Sequence, residues 1–284
     1  MNTIFSKLKH FWLERTLPGK VALLVLFLLV CMAILAPLLT TMPHHRSSGP
    51  ALEPPGWPHI MGTDQLGIDL WAMMVHGARV SLAVGIGTAL LAGFGGGLLG
   101  ITAGWKGGRI DGFIQRLIDV MLALPDLPSM IVIAAFFGSS LQNIIIVLAL
   151  FSWSRPARIL RAGTLALKEQ PYIKMAAHYG AGSGYILTKH LIPELFPLLM
   201  ISMIRLASMA IVTEASLAFL GLGDPASRSW GLIIHHAVNF QGIYLTPFWK
   251  WWLLFPWLFI TLLVTALALL GRDLEGMADP RIRQ

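Results

Sequence analysis

Lys168–Pro193 reads KEQPYIKMAAHYGAGSGYILTKHLIP, a polar, basic island between long apolar runs. Pro171 suits the first turn of a helix, where its missing N–H would have no partner anyway. Residues 172–179 can then run helically, and Gly180 can take the left-handed position that ends the helix. A second short helix is expected over about 183–190, with Pro193 breaking it. Two short helices joined by glycines make a compact knob that a partner could grip. The alternative reading is an ordinary solvated loop.

What surrounds the knob points to lipid. Of 284 residues 56% are hydrophobic and only 12% charged, against about 25% charged in a soluble domain. The net charge of +7 would suit nucleic acid if the basic residues shared one face, but they fall between apolar runs, as in a membrane protein. No nucleic-acid partner is expected. Cys31 is the only cysteine and lies inside an apolar run, which excludes a disulfide framework or a cysteine metal cluster.

Along the chain, segment 1–20 carries Lys7, Lys9, Arg15 and Lys20, with Ile4, Leu8, Phe11 and Trp12 on one helical face, as in an amphipathic segment at a membrane interface. The first span is Val21–Leu39, within 21–42. It is longer than the roughly 7–15 apolar residues of a signal peptide and lacks a small-x-small exit. A Pro-, Gly- and His-rich loop follows over 43–78. The core 79–271 holds five further spans: Val80–Ala103, Phe113–Phe137, Asn143–Arg161, Leu195–Leu220 and Trp251–Leu270. Its polar loop 163–195 contains the knob, and Arg272–Gln284 is a charged tail. The fold class is all-α, with six transmembrane helices.

The second span is dense in glycine, and Gly93 with Gly97, and Gly96 with Gly100 and Gly104, give small-xxx-small pairs that let helices approach closely. Gly95, Gly97 and Gly100 also form a GxGxxG, but with no preceding strand it does not signal a dinucleotide site. Lys and Arg concentrate in 1–20, 104–116, 155–189 and 272–284. Arg46, Arg79, Arg228 and Lys250 lie in the opposite loops, and Arg205 within a span. The positive-inside rule then puts both termini and the knob in the cytoplasm and loop 43–78 outside.

Ala176-Ala177, Gly180 and Pro193, with the Gly-to-Pro spacing intact, resemble the EAA motif of ABC importer permeases, in which this loop is the coupling helix that docks into a groove on the cytoplasmic ATPase. Met175 stands where the motif has its glutamate, as often in the peptide and nickel branch. Other segments are similar to the second permease of dipeptide, oligopeptide and nickel importers. MGTDQLGIDLW followed by HGARVSLAVG resembles that family's GTDxxGRD…GARxSLxxG, with Ile68 in place of an arginine. AGWKGGRID, RLIDVMLALPDLP and TEASLAFLGLGDP with Ser229-Trp230-Gly231 follow in order. Tyr185, Lys189, His190 and Glu194 stand where relatives commonly show Arg, Arg, His and Asn, and Gly271 and Asp279-Pro280-Arg281 keep the family spacing although Arg272, Glu275 and Gly276 replace its usual residues. The resemblance covers roughly residues 57–284.

The resemblance implies a type I importer permease of the bacterial inner membrane. It would pair with a homologous permease, two cytoplasmic ATPase subunits and an extracytoplasmic solute-binding protein. The coupling residues carried over are Tyr172, Ala176, Ala177, Gly180, His190 and Pro193. The chain has no G-x-x-x-x-G-K-[ST] loop, so ATP and Mg belong to the partner subunits and no cofactor is expected here. The chain itself is expected to be non-catalytic.

Ionisable residues within spans are the other candidates. Glu214 and Arg205 share the fifth span, where a charge costs about 2.5–3.5 kcal/mol and faces protein or water. Their spacing puts them on opposite faces of one helix, about 13 Å apart in rise. Glu214 is read either as lining a translocation path or as an anchor between helices. Arg116 and Asp119 are spaced to pair locally. Asp126 has no such neighbour on its own helix and lies between Pro125 and Pro128, where backbone carbonyls are freed. It is read either as lining the path or as capping a kink. The adjacent pairs His44-His45 and His235-His236 point about 100° apart on a helix and do not converge on one ion, so no metal site is assigned.

Peptide import is the first reading, and import of nickel or a metal chelate the second. A stand-alone secondary transporter would show repeats between the halves of the chain, and none is visible. A membrane scaffold without transport has no use for the docking knob or the proline-broken third span.

Overall fold

The computed structural model describes residues 16–278, which leaves segment 1–15 and the 279–284 end of the tail outside the described residues. Among the described residues there is no strand, only an isolated antiparallel bridge between Thr63 and Asp69. The helices are α1 (Leu17–Ile34), α2 (Leu70–Lys106), α3 (Gly108–Ala123), α4 (Asp126–Phe137), α5 (Leu141–Ser152), α6 (Ser154–Lys168), α7 (Pro171–His178), α8 (Ser183–Ile186), α9 (Ile192–Leu217), α10 (Trp230–Val238) and α11 (Leu254–Ala278). Short turns at Ala36–Leu39 and Trp249–Trp252 follow α1 and precede α11.

Four helical runs are long and apolar enough to cross a membrane: Leu17–Ile34, Leu70–Lys106, Ser183–Leu222 and Trp249–Met277. The pairs α3 with α4 and α5 with α6 qualify as one span each, bent by 91° and 40°, which brings the spans to six. The all-α membrane fold expected from the sequence is therefore present, but the third span is not the single helix expected over Phe113–Phe137. Its turn follows from Pro125. Proline drives the residue before it out of the helical region, and Leu124 sits at φ −73°, ψ 135°. The α5–α6 break falls at Trp153, inside the polar Ser152–Arg155 interruption.

The chain forms two compact units. One gathers the described residues up to Ala83 with Ser139–Leu141 and those from Ile211 onward. Its core includes Leu29, Met73, Met74, Ile211, Ile233, Trp252 and Leu263, closed by Trp230, whose indole N–H donates to the Met74 carbonyl at 2.9 Å. Thr16 caps α1 by accepting from the Gly19 N–H, and donates its own N–H and hydroxyl to Asp273 Oδ1 at 3.1 and 2.7 Å. A carboxylate at the positive end of α1 is favourable. Asp273 is thus buried on α11, which stays helical to Ala278 instead of fraying into a tail at Arg272.

In the same unit the GTDQLGID block is a tight turn. Asp64 Oδ1 accepts from the N–H groups of Leu66 and Ile68, and Gly67 takes φ +73°. Asp69 caps α2 by accepting from the Ala72 N–H at 2.7 Å and holds the buried ring of His59 at 2.8 Å. Ile68, where the family pattern has arginine, is 2% exposed and belongs to the apolar core.

The other unit comprises 84–138 and 142–210. Here the glycines of α2 let α6 approach. A Cβ on Gly96 or Gly100 would lie 2.2 Å from the carbonyl oxygen of Trp153 or Ala157, and one on Gly104 would lie 2.8 Å from Thr164 Cβ. The small-residue pattern read from the sequence is thus used against the backbone. Arg161 of α6 donates to both carboxylate oxygens of Asp111 on α3, at 2.5 and 2.7 Å.

Candidate coupling surface and charged sites

The knob lies within the second unit. Helix α7 opens with Pro171 and ends in a left-handed Gly180 at φ +85°. The Gly180 N–H donates to the Ala177 carbonyl and the Ala181 N–H to the Ala176 carbonyl, the paired bonds of a glycine-stopped helix. One face of α7 is anchored by the buried Ile173. The other presents Tyr172, Met175 and Tyr179, exposed at 41%, 55% and 81%, with Ala176 half-buried beside them and Ala177 exposed. That spacing is one helical stripe, and it is apolar and aromatic where a solvated loop would be polar.

Upstream, Lys168 at the end of α6 donates to the Trp105 carbonyl at 2.9 Å and lies over the Trp105 ring. Downstream, the expected break at Pro193 does not occur. Ser183–Leu222 is one helical run in which α8 passes through a π-helical turn, Leu187–Leu191, into α9. The wider turn comes just ahead of Pro193, where it relieves the clash that a proline ring makes with the preceding turn. His190 sits inside the π turn, with the Tyr172 and Tyr185 rings 6.1 and 5.7 Å from its own. The Tyr172 hydroxyl donates to Glu194 Oε1 at 2.6 Å. Partial burial and then this carboxylate push the Tyr172 phenol up to about 12, so it remains a donor throughout the physiological range. The structure thus gathers Tyr172, His190 and Glu194 at one end of the knob. Ala176, Ala177 and Gly180 form its other side.

The charged candidates are placed differently from one another. Asp126, which has no neighbour on its own helix, is paired across helices: Arg155 of α6 donates to Asp126 Oδ2, and each side chain is about one third exposed. Arg155 also reaches the Met209 sulfur at 4.0 Å. Asp126 is therefore not an isolated carboxylate. The two partners are the first charged residues after the α3–α4 and α5–α6 breaks. The local pair expected between Arg116 and Asp119 is replaced by a bond from Gln115 Nε2 to Asp119 at 2.8 Å. In the first unit Glu214 is 2% exposed; it hydrogen-bonds Ser229, while its Oε2 has no partner among the described residues. Its surroundings are protein, next to the start of α10, where a Cβ on Gly231 would lie 2.5 Å from Ala215 Cα.

Sequence reading missed Arg155, Asp111, Arg161 and Lys168 as members of these clusters. Their partners lie 29 to 63 residues away in the chain, beyond any local spacing rule. Some histidines pack ring against ring: His44 stacks on His76 with ring centroids 3.8 Å apart. Among the described residues no three His, Cys, Asp or Glu side chains are grouped to hold a metal.

Residues 96–284 match the family described as binding-protein-dependent transport system inner membrane component. A Brucella suis protein named as a peptide transport system permease protein is 36% identical over 267 residues, covering 93% of this chain and 88% of that protein. The Bacillus subtilis dipeptide transport system permease protein DppC is 35% identical over 92% of this chain and 81% of its own length. The Bacillus subtilis oligopeptide transport system permease protein OppC is 32% identical, over 93% and 86% respectively. The match takes in the knob, both bent spans and the α9–α10 region described above, and the chain belongs to the family of binding-protein-dependent transport system inner membrane components, as a permease subunit of an ABC importer.

Proposed function

We propose that this permease carries short peptides, forming half of a translocation path with a homologous permease and taking its solute from an extracytoplasmic binding protein. The peptide permeases among its relatives support the substrate class. Two cytoplasmic ATPase subunits bind ATP and Mg, and this chain is not a hydrolase. Both termini and the knob lie in the cytoplasm, a topology supported by the concentration of basic residues in 104–116 and 155–189. The knob docks on an ATPase through Tyr172, Ala176 and Ala177, with Gly180, His190 and Pro193 holding its shape. Asp126, a third exposed, is the carboxylate read as lining the path, and Glu214, enclosed by protein, is read as an anchor between helices.

The observation that carries this reading is the knob itself: a short helix with an exposed apolar stripe, fastened at both ends to spans by Lys168–Trp105 and Tyr172–Glu194. Exposed apolar surface outside the lipid is costly unless a partner covers it. The test is uptake into proteoliposomes that contain the complete complex. Labelled di- or tripeptide should accumulate only when ATP and the loaded binding protein are both present. Accumulation of nickel or a nickel chelate without any peptide uptake would overturn the substrate assignment.

A further inference from the structure

We infer that the hydrogen bond from Tyr172 to Glu194 is a strut that makes the knob and the membrane-spanning helix α9 move together, with Tyr172 and Glu194 as positioning residues for energy coupling. The inference rests on the reading of the knob as the ATPase dock. From the knob to α9 the chain has one covalent route, through Gly180 and Gly182, the single turn of α8 and the π turn Leu187–Leu191. Each of these is soft. Gly180 and Gly182 meet nothing within 4 Å of a built Cβ, so neither is wedged in place. A π turn is a rare one-turn interruption of the α ladder and a common place for a helix to kink. A push on α7 delivered through that route would be absorbed before it reached the span.

The strut bypasses all of it. Tyr172 is on the second position of α7 and Glu194 on the third of α9, 22 residues apart in the chain and joined at 2.6 Å. A bond to a carboxylate is roughly twice as strong as one between neutral groups. The His190 ring packs beside the strut, 6.1 Å from the Tyr172 ring and 5.7 Å from the Tyr185 ring. Downstream, α9 stays helical through Pro197 to Leu217, so a displacement taken up at Glu194 passes directly into the span.

The test uses the complete complex with its own ATPases in proteoliposomes, reading peptide transported per ATP hydrolysed. Glu194→Ala should leave ATPase co-purification at the wild-type level and lower the transport ratio by about tenfold, the scale of one charge-assisted hydrogen bond. Glu194→Gln keeps an acceptor oxygen and should stay within about twofold of wild type. Tyr172→Phe keeps the ring and loses the hydroxyl, so its ratio should match that of Glu194→Ala, and the double variant should be no worse than either. A wild-type ratio in Glu194→Ala, multiplicative losses in the double variant, or loss of the ATPases from Glu194→Ala would each overturn the strut. Ala177→Asp, run alongside, separates the two claims: full ATPase retention there overturns the docking reading itself.

Discussion

At Gly100 the backbone of α2 comes so close to α6 that a single methyl group would sit 2.2 Å from the Ala157 carbonyl oxygen. No side-chain rotation relieves a clash with backbone, so Gly100→Ala should destabilise the protein by about 1–3 kcal/mol through overpacking. Gly95, five residues earlier and on another face of α2, meets nothing within 4 Å, and Gly95→Ala should be neutral or slightly stabilising through better helix propensity. Melting in detergent distinguishes them: equal shifts would mean that the glycines act only through backbone flexibility. Gly180 is a third case. Its φ of +85° penalises any side chain although the space is open. Gly180→Ala should therefore loosen the end of α7 by roughly 1–2 kcal/mol, visible as faster amide exchange at Gly180 and Ala181 and little change elsewhere.

Among the helices, the two bent spans are fastened near their breaks by Asp126 and Arg155. Each side chain is a third exposed, so the pair contributes about 1 kcal/mol rather than the several kcal/mol of a fully buried one. Asp126→Asn should lower uptake with most of the complex still assembled, and Arg155→Gln should do the same. Exchanging the two residues in a double variant should recover melting. Wild-type uptake in both single variants would remove the pair from transport. Helix existence was legible because Val21–Leu39 and Trp251–Leu270 are long apolar runs with no charged residue. The knob was legible because Pro171 and Gly180 mark both ends of one short helix by local chemistry alone. The 91° turn was not, since a proline in an apolar run signals a break but not its angle. Nor were Asp126–Arg155 and Thr16–Asp273, where residues 29 and 257 apart meet and no periodicity connects them. Pro193 misled for a related reason: a π turn before it accommodates the ring, and nothing in the local sequence announces that turn.

On the scale of the whole chain, the proposed topology makes loop 43–78 extracytoplasmic and the knob cytoplasmic. Ser47 is exposed, whereas the hydroxyl of its neighbour Ser48 is buried, so Ser47 is the better reporter. A Ser47→Cys variant that also carries Cys31→Ser should react with an impermeant thiol reagent added to intact cells or spheroplasts. Reaction only after lysis would invert the topology and put the knob on the wrong side for an ATPase. The knob remains the point on which the rest depends. Ala177 is exposed on it and lies outside the apolar spans, so Ala177→Asp should not disturb membrane insertion. Against a dry groove the new carboxylate would be buried without a partner, at a cost of several kcal/mol. The deciding measurement is the yield of ATPase subunits that co-purify with the tagged permease. The docking reading requires that Ala177→Asp reach the membrane at normal levels and lose most of its ATPases; recovery of the ATPases at wild-type yield would show that Lys168–Pro193 is a solvated loop.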